Sequence, residues 1–371
     1  MSGAIGLAPS DEVEIERVEA NAFSIPTDRR ESDGTLRWDR TTLVTVRLHA
    51  GGIEGIGYTY AAKASESIVR DELAEVVVGK DAMDVPRIWG AMLAKVRNLG
   101  RSGVAMMAIS AIDAASWDLK AKLLNLPLAR LLGSVRWQVP IYGSGGFTSY
   151  TEKELAEQLG GWARAGIRSV KMKVGRDPGE DVRRVRAARR AIGDGTLLFV
   201  DANGAYSRKD ALKMAQCFAE LDVRWFEEPV TSDDLEGLRL LRDRAPGGMD
   251  IAAGEYAFGT DDFARLLDAG AVDVLQADAS RCGITGFLAA ATLAEARHVD
   301  ISAHCAPALH LHPSCSLPHL RHIEWFHDHV RLESLVFDGV RSPENGALSP
   351  DWSRPGMGIE LKWADARRYL V

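Results

Sequence analysis

Cysteine is scarce in this chain of 371 residues, which contains four cysteines and no CxxC pair. The closely spaced, even-numbered cysteine framework of a small disulfide-bonded secreted domain is therefore excluded. We interpret the thiols as reduced side chains that pack as small hydrophobic groups, as expected for a cytoplasmic protein. The four residues are Cys217, Cys282, Cys305 and Cys315.

A net positive charge and long apolar runs are also lacking. The formal net charge is -7 at pH 7, so we expect no surface that binds nucleic acid or an anionic membrane. The best apolar candidate, GVAMMAISAIDAASWDL at residues 103–119, contains Asp113 and predicts a buried helix instead of a membrane span. The N-terminal MSGAIGLAPSDEVEIE has neither the basic start nor the apolar run of a signal peptide.

The first third of the chain predicts an α+β module. The turn Gly51-Gly52 joins the strand-like segments TTLVTVRLHA and IEGIGYTY in a predicted hairpin, and helical patterns follow. Strands followed by helices are typical of an α+β unit. The predicted strands cover residues 12–25 and 42–60, and the predicted helices cover residues 62–79, 85–98 and 103–125.

From residue 139 onwards, short apolar strands alternate with helical segments rich in Ala, Leu, Arg and Glu. This alternation predicts a (β/α)8-type TIM barrel, in its (β/α)7β form. A doubly wound open sheet is the alternative, but no GxGxxG motif follows the first strand. We predict a capping domain over residues 1–133, a catalytic barrel over 134–335, and a C-terminal segment over 336–371 that returns to the cap. The predicted strands lie near residues 139–142, 168–174, 197–201, 223–228, 250–255, 272–278, 299–304 and 321–326.

An ionisable side chain ends each of these apolar strands from the second to the eighth. Consecutive members of the series are separated by about one βα unit, so all should meet at the C-terminal mouth, where barrel enzymes hold their active sites. The series is Lys173, Asp201, Glu227, Glu255, Asp278, His304 and Glu324.

The second strand carries two lysines in the segment RSVKMKVG, residues 168–175. Alternation places Lys171 and Lys173 on one face, while Val170 and Met172 face the helices. An unpaired buried ammonium is costly, so the lysine face must meet solvent or a polar cavity. Near a divalent cation, two ammonium groups disfavour each other's charge, and we expect a lowered lysine pKa that suits a general base.

Three acidic residues on consecutive strands predict a cation site. Asp201, Glu227 and Glu255 offer hard oxygen ligands that suit octahedral Mg²⁺, whereas zinc would be expected to recruit His or Cys. Glu228 is expected, by alternation, to point away from Glu227. Asn203 returns to the side of Asp201, where it is available for substrate or for orienting a ligand.

Acid–base groups are predicted on both sides of this cation site. The lysines precede it in barrel order, and Asp278 and His304 follow it. A carboxylate one strand away can hold an imidazole in one tautomer and stabilise its charged form. The sequence therefore predicts a proton carrier on either side of the metal.

These residues match the motifs of a known family. The chain resembles the enolase superfamily, and within it the mandelate racemase-like subgroup (mandelate racemase/muconate lactonizing enzyme family), over essentially its whole length. Each motif is weak alone, but the set is highly specific. The motifs are K-x-K at 171–173, D-x-N at 201–203, E-E-P at 227–229, G-E at 254–255, the Asp278 and His304 pair, and Glu324 on the last strand.

The resemblance implies the chemistry of the centre of the site. It implies one Mg²⁺ held by the three acidic residues Asp201, Glu227 and Glu255. This ion would chelate the carboxylate of a small acid substrate and stabilise an enediolate after the α-proton is removed. Lys173 would be the base on one face of the substrate, and His304 would be the acid or base on the other.

The resemblance also assigns supporting roles. Asp278 would orient the catalytic imidazole, and Lys171 would neutralise the substrate carboxylate and lower the pKa of the neighbouring lysine. Glu324 would hydrogen-bond a carboxylate oxygen, and Ser144 at the end of the first strand is a further candidate for the same task. The chain departs from the family's usual GGxTG after the sixth strand, where it has RCGITG at 281–286. We expect this shorter loop to shift the helix that follows.

Potential bases on both faces allow more than one overall reaction. We favour dehydration of a sugar acid (aldonate or aldarate) to a 2-keto-3-deoxy acid, the commonest role in this subgroup. Racemisation or epimerisation of an α-hydroxy acid, or cycloisomerisation of a sugar-acid lactone, are the alternatives, so a lyase is expected and an isomerase remains open. The segments 26–40 and 58–65 are predicted to be capping loops that set specificity, and we expect a homo-oligomer.

Two other classes of protein fit parts of the pattern. A Schiff-base enzyme could use Lys171 or Lys173 covalently on a similar barrel, and borohydride would trap it with substrate while EDTA would leave it active. A non-catalytic, metal-dependent binding protein would bind sugar acids but exchange no α-proton in D₂O.

Overall fold

The computed structural model describes residues 12–371, and the first part of this range forms an antiparallel sheet backed by helices. The sheet order is β1-β2-β3. Gly51 and Gly52 join β2 to β3 with φ of 55° and 75°, which are the paired left-handed conformations of a tight hairpin turn. The elements are β1 Arg17–Ser32, β2 Arg37–Ala50, β3 Ile53–Tyr60, α1 Ala64–Ile68, a π-helical turn Val69–Leu73, α2 Ala74–Val77, α3 Val85–Lys95, a 3₁₀ turn Val96–Asn98, α4 Val104–Leu123 and α5 Leu128–Leu132.

The first hairpin of the cap is longer than the sequence predicts. The segment 26–40, expected to be a loop, instead forms the ends of β1 and β2, with Glu31 paired to Trp38. The tip is closed by Asp33, whose carboxylate accepts backbone N–H bonds from Thr35 and Leu36, each at 2.6 Å. An Asp side chain that bonds the backbone two or three residues later stabilises a tight turn, so the strands continue almost to the tip.

Eight parallel strands close into a barrel, as the sequence predicts. Neighbours in chain order pair with each other, and the last strand pairs with the first, with Ile323 opposite Ile141. The barrel strands are β4 Val139–Gly145, β5 Ser169–Lys173, β6 Leu197–Asp201, β7 Val223–Glu227, β8 Asp250–Ala253, β9 Val274–Ala277, β10 Asp300–Ala303 and β11 Leu320–Phe326.

A helix follows each barrel strand, and a short tail returns to the cap. Phe23 of β1 forms a bridge with Leu370 and an edge-on ring contact with Trp363. The three-part division of the chain at 133 and 335 stays a prediction. The elements are α6 Glu152–Arg164, α7 Pro178–Ile192, α8 Arg208–Ala219, α9 Leu235–Arg244, α10 Thr260–Asp268, α11 Ala279–Glu295, α12 Pro307–Ser314, α13 His327–Val336, β12 Phe337–Asp338, β13 Ala347–Leu348, β14 Glu360–Leu361, α14 Trp363–Ala366 and a 3₁₀ turn Arg367–Tyr369.

Alternation along the barrel strands separates two cores. Val170 and Met172 of β5 belong to the large core between barrel and helices, as expected. The barrel interior is filled instead by a small aromatic cluster, in which Phe199 and Trp225 stack at 5.3 Å between ring centroids. Lys171 reaches this interior, where its ammonium lies 3.4 Å from the Tyr142 hydroxyl. The lysine face of β5 therefore meets polar and aromatic side chains inside a closed sheet.

None of the helices formed by residues 12–371 combines the length and the apolar character needed to cross a bilayer. The apolar segment that includes Asp113 lies in α4, which is buried along most of its length. This agrees with the expectation that it is a core helix.

Hydrogen bonds join the cap to the barrel at the start of α11. Thr59 donates a hydrogen bond to the Ser280 carbonyl, and Ser110 donates one to the Arg281 carbonyl, both at 2.6 Å. Asp113 accepts from the backbone N–H of Thr285 at 2.8 Å and from its hydroxyl at 2.6 Å. These bonds fix the RCGITG segment, where the sequence departs from the family pattern, against helix α4.

Gly57 of β3 lies directly against α4, because a Cβ at this position would overlap the backbone of Ala111 and Ala115. We therefore predict that Gly57→Ala destabilises the fold by about 1–3 kcal/mol or more, as overpacking does. Gly90→Ala, at an exposed position of helix α3, is the matched control. No atom lies within 4 Å of the added methyl there, and alanine favours a helix. Thermal unfolding should show a lower midpoint for the first variant only, and equal midpoints would contradict the close packing.

Burial raises the pKa of Asp113 to about 7. Because the folded state then holds this proton more tightly than the unfolded chain does, stability from this group falls as pH rises from about 4 to about 7. Asp113→Asn removes the titration while keeping the shape of the side chain. We predict that the unfolding midpoint of the natural protein minus that of the variant decreases between pH 5 and pH 8. A difference that is constant with pH would refute this.

Candidate active site

Every residue predicted for the site is buried at the carboxyl ends of the barrel strands. None of them faces open solvent as a surface charge would. The structure therefore collects, in one place, groups that lie far apart in sequence. They are Ser144, Lys171, Lys173, Asp201, Asn203, Glu227, Glu255, Asp278, His304 and Glu324.

The three predicted metal ligands converge at the mouth. Asp201 and Glu227 are register partners on neighbouring strands, and the ammonium of Lys171 lies 2.5 Å from Glu227 Oε1 and 3.6 Å from Asp201 Oδ2. Carboxylate oxygens of Glu227 and Glu255 lie within 4.8 Å of each other and of a ring nitrogen of His304. Asp201 and Glu255 therefore both lie close to Glu227, which is the middle member of the acidic trio.

Two residues that the sequence reasoning missed hold Glu227 in place. Its Oε2 accepts hydrogen bonds from the Trp225 indole at 2.9 Å and from the Gln276 amide at 3.0 Å. Each lies two residues before a site carboxylate, on the inward face of its strand, so period-two alternation could have found them. Burial and the charge of Asp201 raise the pKa of Glu227 to about 8. Crowded negative charge of this kind favours a bound cation.

The donor set fits Mg²⁺. Three carboxylates from consecutive strands supply hard oxygen ligands and leave positions for water and substrate. Glu255 Oε2 is buried and accepts no well-aligned hydrogen bond, although Nε2 of His304 lies 3.2 Å away. A buried carboxylate oxygen without a donor is costly in the protein alone, and a cation would satisfy it.

Alternation does not decide where the Glu228 side chain points. Strand β7 ends at Glu227, and Glu228 has φ of 38°, so the two-residue period no longer applies. Its side chain is buried with Oε1 unpaired. Burial, followed by the charges of Glu255 and Asp201, holds the pKa of Glu228 well above its ordinary value. Glu228 therefore adds a carboxyl group beside the acidic trio.

Both lysines are ion-paired, and their pKa values are raised where we expected them to be lowered. The ammonium of Lys173 contacts Asp201, and that of Lys171 also lies 2.9 Å from Glu324. Burial lowers the pKa of Lys173, but the carboxylates of Asp201, Glu255 and Glu227 together outweigh burial and the repulsion from Lys171. The expectation counted the two ammonium groups and a cation, whereas the surrounding carboxylates dominate the field. A cation on those carboxylates would oppose this effect.

The predicted acid–base pair is formed. Nδ1 of His304 lies 2.9 Å from Asp278 Oδ2, while Asp278 Oδ1 accepts the backbone N–H of Ser280 at the start of α11. Burial raises the pKa of Asp278, but the hydrogen bond with His304 and the charge of that residue lower it to about 2. Arg281 also lies 3.5 Å from this carboxylate. The RCGITG departure therefore leaves the pair intact.

Glu324 is held at the centre of a polar network. Ser144 donates to its Oε1 at 2.6 Å, and the backbone N–H of Cys305 donates to its Oε2 at 2.9 Å. Because its hydroxyl is engaged in this way, Ser144 supports Glu324, and its contact with substrate stays a prediction. Asn203 donates its backbone N–H to Asp201 at 2.8 Å, while its buried side-chain oxygen is unpaired. Its availability for substrate also stays a prediction.

The cap contacts the loops at the mouth. Trp38 of the first hairpin packs edge-on against Phe147, with 5.7 Å between ring centroids, and Tyr60 stacks on His329 at 3.4 Å. His327 lies 3.1 Å from Asp28 near the hairpin tip. Both segments predicted to influence specificity thus lie beside the loop after β4 and the first turn of α13, and their role in specificity remains a prediction.

A closed barrel with carboxylates on consecutive strand ends, flanked by a lysine pair and a histidine–aspartate pair, defines an enzyme of the enolase type. The family model "Enolase C-terminal domain-like" matches residues 154–366. The model "Mandelate racemase / muconate lactonizing enzyme, N-terminal domain" matches residues 31–133. The chain belongs to the mandelate racemase/muconate lactonizing enzyme family of the enolase superfamily, which confirms the resemblance found in the sequence.

Similar proteins include both dehydratases and cycloisomerases. The 3,6-anhydro-alpha-L-galactonate cycloisomerase of Streptomyces coelicolor is 35% identical, covering 96% of this chain and 99% of that protein. A mandelate racemase/muconate lactonizing enzyme-like protein from Rubrobacter xylanophilus has a solved structure with 53% identity and a TM-score of 0.95, covering 96% of this chain and 100% of that one. L-talarate/galactarate dehydratase from Salmonella typhimurium LT2, solved with Mg and L-lyxarohydroxamate, has 30% identity and a TM-score of 0.90, covering 100% of this chain and 96% of that one.

The Asp278 carboxylate should fix the proton of His304 on Nδ1. An amide at this position can donate to Nδ1 instead and favour the opposite tautomer. We predict that Asp278→Asn moves the ring proton of the neutral imidazole to Nε2, as read from ¹⁵N chemical shifts of histidine-labelled protein at a pH where the ring has lost its second proton. Asp300→Asn is the control, because Asp300 begins β10 at the other end of the barrel and pairs with Arg321 at 2.7 Å. An unchanged tautomer in Asp278→Asn would contradict the role of this carboxylate.

Proposed function

We propose that this chain binds one Mg²⁺ through Asp201, Glu227 and Glu255 and removes the proton α to the carboxylate of a sugar acid. The observation that carries the proposal is the position of the two proton carriers. Lys173 contacts Asp201 at one end of the acidic trio, and His304 lies 3.2 Å from Glu255 at the other. A substrate held at the centre would therefore meet a proton carrier from either side.

The bound ion would supply positive charge that stabilises the enediolate form of the substrate. Lys171 is placed to pair with the substrate carboxylate, because its ammonium already joins Glu227 and Glu324. Glu324, fixed by Ser144, is placed to donate a hydrogen bond to the same group when its own carboxyl is protonated. These contacts would strengthen as negative charge develops on the carboxylate oxygens.

Dehydration is the overall reaction that we favour. The neutral amine of Lys173 would take the α-proton, and the imidazolium of His304 would protonate the departing β-hydroxyl, which leaves as water. The enol that remains tautomerises to a 2-keto-3-deoxy acid. Burial lowers the pKa of His304, but acidic neighbours including Glu255 and Glu324 hold it well above its ordinary value, which suits an acid. The resemblance to the talarate/galactarate dehydratase supports this reaction class.

Cycloisomerisation of a sugar-acid lactone is the second candidate. The cycloisomerase from Streptomyces coelicolor aligns over 99% of its own length with this chain. The same first step would serve, because His304 could deliver its proton to a different atom of the same enediolate. A racemase or epimerase would return the proton to the opposite face of the α-carbon.

A screen of mono- and diacid sugars with Mg²⁺ present, read by semicarbazide detection of keto acids, should identify a substrate. For that substrate we predict that Lys173→Ala or His304→Asn lowers turnover by about 10²–10⁴-fold while Mg²⁺ binding is retained. Lys209→Ala, on the exposed start of α8, is the matched control. In D₂O, His304→Asn should still exchange the α-proton, whereas Lys173→Ala should not. Full turnover in both active-site variants would overturn the proposal.

Removal of the cation should abolish turnover. We predict that EDTA inactivates the protein reversibly, and that calorimetry shows one Mg²⁺ bound to the natural protein and none to Glu227→Gln. Asp273→Asn provides the control carboxylate, since Asp273 pairs with Arg242 at 3.0 Å away from the acidic trio. Borohydride with substrate should leave the protein active. Trapping by borohydride together with activity in EDTA would establish the Schiff-base alternative instead.

A further inference from the structure

Cys305 places a thiol directly on the proposed catalytic imidazole. Its Sγ lies 3.4 Å from Nε2 of His304, and its side chain is buried. The residue adopts φ of 51°, a left-handed conformation that is uncommon outside glycine. Its backbone N–H donates to Glu324 Oε2 at 2.9 Å, which anchors the turn. The proposed dehydration assigns no step to this thiol.

The thiol, the imidazole and a carboxylate together form a preorganised set of metal ligands. Donor atoms of His304, Cys305 and Glu324 all lie within 4.8 Å of one another. Nε2 is 3.4 Å from Sγ and 3.7 Å from Glu324 Oε2. Ligands around tetrahedral zinc, at about 2.3 Å for sulfur and about 2.0 Å for nitrogen and oxygen, are separated by about 3.3–3.5 Å. The protein therefore already holds these donors near the spacing that zinc requires.

A fourth possible metal ligand, Glu255, lies close to the same imidazole nitrogen of His304. Glu255 Oε2 is 3.2 Å from Nε2, is buried, and accepts no well-aligned hydrogen bond. On the other side of the ring, Nδ1 pairs with Asp278 at 2.9 Å, which leaves the Nε2 lone pair available in the neutral imidazole. A carboxylate behind a ligating histidine is the usual support of a protein metal site.

We propose that His304, Cys305 and Glu324, with Glu255 available as a fourth ligand, bind a borderline-soft divalent cation of the Zn²⁺ class, and that this cation blocks the proton carrier on Nε2. Binding releases two protons to solvent, one from the Cys305 thiol and one from Nε2 of the His304 imidazolium, whose freed lone pair then binds the cation. Thiolate and imidazole ligands select Zn²⁺ or Co²⁺. Mg²⁺, by contrast, favours the trio of carboxylates. The two classes of cation thus prefer adjacent ligand sets, and Glu255 is the residue common to both.

Cobalt provides a probe of the binding step that does not depend on turnover. With the full chain and Mg²⁺ in excess, added Co²⁺ should produce a near-ultraviolet thiolate-to-cobalt charge-transfer band. Cys305→Ser should lose this band. Cys217→Ser should keep it, since Cys217 is a half-buried thiol on α8. Absence of the band in the natural protein, or its persistence in Cys305→Ser, would overturn the site.

The inhibitory consequence rests on the proposed function and has its own measurement. Each variant is assayed with and without Zn²⁺ at saturating Mg²⁺, and inhibition is expressed relative to that variant's own zinc-free rate. Cys305→Ser should require at least about tenfold more Zn²⁺ for half-inhibition, because even outer-shell changes cost about 10–100-fold in metal affinity. Equal zinc sensitivity in both proteins would overturn the inhibition, while the cobalt band would still decide the site.

Folding of the variant must be separated from loss of the ligand. Cys305 packs among Phe147, Tyr150 and Phe326, so a polar replacement could loosen this cluster. Cys305→Ala keeps an apolar side chain and should lose the cobalt band in the same way, with an unfolding midpoint that reports on packing. A band that survives in a folded Cys305→Ala would refute thiolate ligation.

Discussion

Charge compensation at the barrel mouth is the constraint on which the rest of the site depends. Carboxyl groups buried together repel one another, and this repulsion would open the mouth if nothing opposed it. Lys171 lies between Glu227 and Glu324, Lys173 contacts Asp201, and a histidine lies against the remaining carboxylates. The closed ring of strands keeps all of these groups at fixed separations, so the balance of charge is set by geometry. The same cationic groups that stabilise the folded site are those proposed to act on a substrate.

The pattern of strand ends made most of the barrel and much of the site predictable from sequence. A period of two within strands and a period of one βα unit between them place Asp201, Glu227 and Glu255 at one mouth, because parallel strands share their carboxyl end. The prediction failed where the chain leaves this regularity. Glu228 follows the last residue of its strand in a left-handed conformation, which no alternation rule covers. The turn made by Asp33 likewise converts an expected loop into a hairpin.

Other properties depend on how many charged groups the fold brings together. The sequence predicts two lysines near a cation, but the sign of their pKa shifts follows from the number of carboxylates within reach, and that number exists only in the fold. The same holds for Cys305. In the sequence, Cys305 is one of four scattered cysteines and is best interpreted as a small hydrophobic residue. Only the approach of its Sγ to His304 indicates a role as a metal ligand. Distances across the barrel, not residue types, separate structural from reactive side chains here.

The seam between α4 and α11 ties the cap to the acid–base pair. Thr59, Ser110 and Asp113 bond the segment that directly follows Asp278, and that carboxylate orients His304. A cap transplanted from a relative to alter substrate choice would therefore bring its own alignment of the imidazole with it. Redesign of this enzyme should therefore keep the seam together with the acid–base pair that it supports.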